Sequence, residues 1–207
     1  MTKATRLDRI LLAATVYTAL FTSIEQPQAQ TAFYQAIPAE ITAGAAGSVI
    51  RQEPMHGAPA GASAYRILYR STDPNGGPIA VSGMVLVPAG PALEAGRAVV
   101  AWAHPTTGIV PRCAPSLAFF GFQQIQGARE LLEQGYVIAA TDYPGLGTPG
   151  PHPYLVGASE ARAVIDSVRA AQSLPGVGNV RHYAVWGHSQ GGQAALFTGL
   201  ISKSYAP

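Results

Sequence analysis

Two kinds of apolar segment alternate along most of this chain. The first kind is short and continuous. Ala98-Val99-Val100-Ala101-Trp102-Ala103 and Tyr136-Val137-Ile138-Ala139-Ala140 are apolar at every position, as expected of strands covered on both faces. The second kind is longer and periodic. Ala161, Val164, Ile165 and Val168 recur at i, i+3, i+4 and i+7, one face of a helix predicted over 155–173. Another helix is predicted over 123–134, with Ile125, Ala128, Leu131 and Leu132 on one face and Gly135 as its stop. Upstream, 64–70 and 79–87 read as two strands of an antiparallel hairpin, joined through Asp73-Pro74-Asn75-Gly76-Gly77. Downstream, 180–186 reads as a strand and 190–201 as a helix. Residues 31–60 carry Pro38, Gly44, Gly47, Pro54, Gly57 and Pro59, too closely spaced for long regular elements, and are expected to wrap the outside. The order of hairpin, β, α, β, α, β, α predicts an α/β fold, a mostly parallel sheet with helices on both faces. No internal repeat, low-complexity tract or interdomain linker interrupts it.

Composition narrows the picture. At 207 residues, 48% hydrophobic and 12% charged, the chain is core-forming rather than disordered. A net charge of +2 without a basic cluster argues against nucleic acid as a partner. No Cys/His spacing resembles a metal site and no Gly-rich loop ends in Lys-Ser or Lys-Thr, so no metal or organic cofactor is implied. The first residues are patterned differently. Lys3, Arg6 and Arg9 precede a mostly apolar run from Ile10 to Phe21, and polar Glu25, Gln26, Gln28 and Gln30 follow. Twelve residues are too few to span a bilayer comfortably, so residues 1–31 read as a secretory signal peptide and the protein as secreted or periplasmic, with no stable membrane span. Cleavage options are the small residues Ala29, Thr31 and Ala32. Export makes the lone Cys113 either a free thiol or one whose partner is outside this sequence.

The strongest chemical signal is Gly187-His188-Ser189-Gln190-Gly191, set between the last strand and the last helix. G-x-S-x-G alone is common. In a strand–turn–helix context it marks a nucleophilic serine, because glycines permit a strained turn and close backbone approach while the helix N-terminus favours negative charge. Such a serine needs a histidine to take its proton and a carboxylate to orient the histidine. After Ser189 there is no histidine, aspartate or glutamate, and Lys203 is the sole charged residue. Among upstream histidines, His188 adjoins the serine but points elsewhere, and His104 is expected to hold a loop. His56 and His182 read as surface residues, which leaves His152 as the one substitute base to consider. Asp142 ends a strand and is expected to accept hydrogen bonds from the 145–147 loop.

Four strings together, Ala101-Trp102-Ala103-His104-Pro105-Thr106-Thr107-Gly108, Cys113-Ala114-Pro115-Ser116, Asp142-Tyr143-Pro144-Gly145-Leu146-Gly147 and Gly187-His188-Ser189-Gln190-Gly191-Gly192, resemble the secretory lipase family of α/β-hydrolases. The resemblance runs from about Phe33 onward and departs at Pro105, where the family's common form has glycine. It implies an exported serine carboxylic-ester hydrolase, acting on a small-molecule ester or acylglycerol through an acyl-enzyme on Ser189. The first oxyanion donor would be the N–H of Gln190. The second would come from the loop after the third strand, from Thr106 or Thr107, because Pro105 has no N–H. In this superfamily the acid and histidine follow the serine. The expectation is therefore that 32–207 forms the N-terminal part of the domain, truncated after the elbow helix, with an exposed apolar strand 183–186 and little turnover or solubility by itself. Cys113 matches a family position that can enter a disulfide with a later cysteine. The rival reading is a non-catalytic exported domain that binds a ligand on the same scaffold.

Overall fold

A computed structural model describes residues 32–91, 96–119 and 121–206. The signal read over residues 1–31 lies outside them. Six strands form one sheet: β1 (Val49–Pro54), β2 (Ala62–Thr72), β3 (Pro78–Pro88), β4 (Val99–Ala103), β5 (Val137–Thr141) and β6 (Tyr183–Gly187), in the spatial order β1-β2-β3-β5-β4-β6. Four α-helices accompany them: α1 (Pro38–Thr42), α2 (Ala128–Glu133), α3 (Gly157–Ala171) and α4 (Gln190–Tyr205). The pairings β1–β2, β2–β3 and β3–β5 are antiparallel, whereas β5–β4 and β4–β6 are parallel. The mostly parallel sheet expected from the alternation is thus mixed among the described residues, antiparallel at its N-terminal side and parallel where strands alternate with helices.

The continuous apolar strands divide their side chains by the two-residue period of a strand. Val99, Ala101 and Ala103 of β4 and Val137 and Ala139 of β5 join Ala163, Val164 and Val168 of α3 on one face. Trp102 of β4 and Ile138 and Ala140 of β5 meet Phe122, Ile125, Ala128 and Leu132 on the other. Helices therefore cover both faces, and the predicted stripe Ala161, Val164, Ile165 and Val168 is fully buried. Asp166 adds a polar tie at the same interface. Its buried carboxylate accepts Ser71 Oγ of β2 at 2.7 Å, Tyr205 OH of α4 at 2.7 Å and Arg169 Nη1 at 2.9 Å.

Several boundaries differ from expectation. The wrapping segment contributes a strand, β1, paired with β2 from Val49↔Tyr69 to Pro54↔Tyr65. It has no apolar alternation to announce it. Its polar side chains are satisfied across the edge, Glu53 by Arg66 of β2 and Arg51 by Glu40 of α1. Pro54 is its last residue, where a missing N–H is tolerated. The single helix predicted over 123–134 is a 3-10 turn at Gly121–Gln124 and then α2, separated by Gly127 in the left-handed region at φ 74°. β6 starts later than predicted, and α4 runs one turn further. Among the described residues β6 pairs with β4 alone, and Tyr183 and Trp186 are exposed. On α4, Leu196 and Leu200 are 79% and 75% exposed.

Candidate active site

The ends of β4, β5 and β6 converge on one side of the sheet, and each delivers part of the site. β6 delivers the elbow. Ser189 sits at φ 57° and ψ −119°, a strained backbone for a residue with a side chain, and it is exposed at the N-terminus of α4. The flanking glycines are sterically required. A Cβ on Gly187 would lie 2.0 Å from the Gly191 carbonyl oxygen, and one on Gly191 would lie 1.8 Å from that of Ala103. Gly192 is different, its nearest neighbour being 3.7 Å from such a Cβ. The N–H groups of Gly191 and Gly192 turn back to His188 O and Ser189 O at 2.9 Å each. That of Gln190 has no hydrogen-bond partner among the described residues.

β4 delivers the adjacent loop. Ala103 pairs with Gly187 in register, and Gly191 sits against the carbonyls of Ala103 and His104. Residues 104–108 therefore start beside the elbow. His104 is buried, with Nδ1 2.6 Å from Pro105 O and Nε2 3.1 Å from Asp142 O, and its ring packs 4.3 Å from that of Tyr143. Burial lowers its pKa to about 4, against the pull of the two carbonyls, so it is neutral near pH 7. It holds the loop and is no base for Ser189. Thr106 is exposed, its Oγ1 3.1 Å from Tyr154 OH. Thr107 Oγ1 is buried without a partner among the described residues. Gly108, at φ 133°, closes the loop against Cys113, whose Sγ would be 2.4 Å from a Cβ there. Cys113 is a free, half-buried thiol.

β5 delivers Asp142 and the loop behind the elbow. The fully buried Asp142 carboxylate accepts Ser116 N at 2.9 Å, Ser116 Oγ at 2.5 Å and Ser82 Oγ at 2.6 Å. Its donors thus come from two serines rather than from the 145–147 loop, because the carboxylate turns toward β3 and the 3-10 turn at Pro115–Leu117. Burial raises its pKa despite those bonds. His152, the substitute base considered above, is committed elsewhere. Its Nδ1 donates to Pro144 O at 2.8 Å, which leaves Nε2 to accept Gln190 Nε2 at 3.2 Å. Gln190 also donates to the buried carboxylate of Glu160 at 2.8 Å. Among the described residues no histidine or carboxylate is hydrogen-bonded to Ser189. His56, His182 and His188 are exposed.

Glu160 is the site neighbour that the sequence reading missed. It lies one turn before Val164, so it falls on the buried face of α3, and a carboxylate on an apolar stripe was the available signal. A cavity of about 1000 Å³ opens elsewhere, between residues 55–57 and residues 117–119 and 122–130, and none of the elbow residues lines it.

The strand order, the crossovers and the tight turn between β6 and α4 are those of an α/β-hydrolase fold. The family model for secretory lipases matches residues 124–207. Lipase 5 of Candida albicans is 29% identical over 159 residues, and Lipase A of Arthroderma benhamiae is 29% identical over 162. Each comparison takes in 70% of this chain and about a third of the relative, 32% and 33%. Among solved structures, Candida antarctica lipase A superposes with a TM-score of 0.69 at 22% identity, over 88% of this chain and 43% of that one. The rice cell wall degrading esterase LipA from Xanthomonas oryzae superposes at 0.64 with 26% identity, over 78% and 47%. The chain has an α/β-hydrolase fold, is similar to the secretory lipases, and spans about a third of the length of the curated relatives Lipase 5 and Lipase A.

Proposed function

We propose that this chain carries the nucleophile and oxyanion-binding part of an exported carboxylic-ester hydrolase. One observation carries the reading: Ser189 is held exposed at φ 57° by two glycines that cannot bear a Cβ, on the N-terminus of α4. Ser189 Oγ attacks the acyl carbonyl, and the tetrahedral oxyanion forms beside the open N–H of Gln190. The second donor is the N–H of Thr106 or Thr107, since Pro105 has none. Loss of the alcohol leaves an acyl-enzyme, and water then releases the acid. No histidine among the described residues reaches Ser189, so its base and the acid behind it are assigned to residues beyond those described. Hydrolysis by these 207 residues alone is then expected to be slow. Residues 1–31 are proposed to direct export, and the residues from 32 onward to belong to the N-terminal part of the hydrolase domain. Small-molecule esters or acylglycerols are the proposed substrates, as the lipase and esterase relatives suggest.

The test is covalent. A fluorophosphonate should label Ser189, located by peptide mass spectrometry, and Ser189→Ala should abolish labelling. The protein to use is the product of the complete reading frame. A folded protein that resists the probe would support the rival reading instead, a binding domain, for which the specific observation is that the Ser189 hydroxyl has no histidine or carboxylate partner among the described residues.

A further inference from the structure

Glu160 and Gln190 leave a matched pair of loose ends in the protein interior. Gln190 uses both amide hydrogens, one on Glu160 Oε1 at 2.8 Å and one on His152 Nε2 at 3.2 Å. Its orientation is therefore fixed: the flipped amide would set its oxygen against the lone pair of His152, whose other nitrogen is bound as a donor to Pro144 O. Glu160 Oε1 accepts a second bond, from Leu155 N at 3.1 Å. What remains is Glu160 Oε2 and Gln190 Oε1, both buried acceptors without a partner among the described residues. Two such orphans on residues already joined by a hydrogen bond are costly, on the order of 1–3 kcal/mol each. One proton removes both. An in-plane amide N–H on one oxygen of a carboxylic acid brings the acid's O–H to the amide oxygen, the eight-membered ring of an acid–amide pair.

The geometry points to Glu160 keeping its proton in the folded protein and pairing reciprocally with Gln190, as the positioning residue that anchors the first residue of α4 to α3. The surroundings agree. Glu160 is fully buried, and no lysine or arginine forms an ion pair with it among the described residues. The titratable groups facing it are His152 and Tyr143 from the loop after β5, while α4 presents only the uncharged Gln190. Burial raises the Glu160 pKa, more than the bonds from Gln190 and Leu155 and the nearby His152 lower it. The pairing claim concerns Glu160 and Gln190 alone. Its consequence for catalysis rests on the proposed role of the Gln190 N–H.

The decisive measurement is carboxyl-selective NMR on the full chain with glutamate labelled at Cδ. One glutamate resonance should still report a protonated acid at neutral pH and should be missing from Glu160→Gln. The backbone N–H of Gln190 should shift with the same midpoint as that resonance, a response that a purely structural contact would not give. If every glutamate Cδ titrates in the ordinary carboxylate range, the proposal is overturned. Should Glu160→Gln fail to fold, the wild-type spectrum and the Gln190 titration decide the matter without it. For the catalytic consequence, Glu160→Ala should slow fluorophosphonate labelling of Ser189 roughly tenfold, the equivalent of one lost buried hydrogen bond, and Glu160→Gln should recover most of that loss. No labelling in any variant, with the protonated glutamate present, would count against the nucleophile and leave the pairing standing. Equal labelling in Glu160→Ala and wild type would remove the positioning role.

Discussion

Gly191 and Gly192 are neighbours in sequence and opposites in what they permit. At Gly191 an added Cβ would meet the Ala103 carbonyl oxygen at 1.8 Å, and backbone cannot move aside as a flexible side chain can. Gly191→Ala is expected to destabilise the protein by about 3 kcal/mol or more, read as a lowered denaturation midpoint. Gly192→Ala meets nothing closer than 3.7 Å in the first turn of α4, and the same measurement should show a neutral change or a gain of about 0.5 kcal/mol. Asp142→Asn tests the other buried site. Its carboxylate accepts three hydrogen bonds, and an amide supplies one oxygen in place of two, so a loss of about 2 kcal/mol is expected in urea unfolding. The serine elbow is legible in the sequence because its glycines are close together and each answers a local need. Glu160 is not, because its partners come from 30 residues away on α4 and from the loop after β5. A stripe can show that a carboxylate is buried without showing what it meets.

At the scale of elements, legibility tracks how local the cause is. β4, β5 and α3 announce themselves because burial on two faces, or on one helical face, writes a continuous or periodic pattern. β1 has neither. It forms because β2 offers an open edge and because Arg66 and α1 supply partners for its charges, facts that no window of the sequence contains. The split ahead of α2 has its reason in one residue, Gly127, whose left-handed backbone interrupts an otherwise helical pattern. The exposed side of α4 carries a prediction of its own. Leu196 and Leu200 stand four residues apart and largely in solvent, and among the described residues β6 pairs on one edge alone. Leu200→Lys should reduce self-association of this chain in light scattering while leaving its melting temperature nearly unchanged, since little packing is lost. An unchanged scattering profile would show that this surface does not drive association.

For the whole molecule, three buried carboxyls act in the same direction. Asp142, Glu160 and Asp166 all have pKa values raised by burial, so the folded protein holds these protons to higher pH than the unfolded chain does. Their contribution is fullest below the unfolded carboxyl values, around 4, and is lost as pH climbs through the raised folded values. Stability measured by denaturant midpoint is therefore expected to fall from mildly acidic pH toward neutrality, and Glu160→Gln should flatten part of that slope. The α/β class and the order of the elements from β2 onward were readable from apolar alternation and turn residues. The antiparallel β3–β5 join was not, because it depends on which edge the hairpin presents rather than on any pattern within the strands.

The tie at Tyr205 has a further consequence, in time rather than in space. Its hydroxyl reaches Thr72 across 133 residues and Asp166 across 39, so the elbow helix is secured to a strand made long before it. A contact of such long sequence separation is entropically late, and topologies built on such contacts fold slowly. During synthesis β2 and β3 can pair well before α4 emerges, and the serine acquires its strained geometry only when α4 docks on β4 and α3. Tyr205→Phe should accordingly accelerate unfolding severalfold and leave the refolding rate almost untouched, the signature of an interaction completed after the transition state.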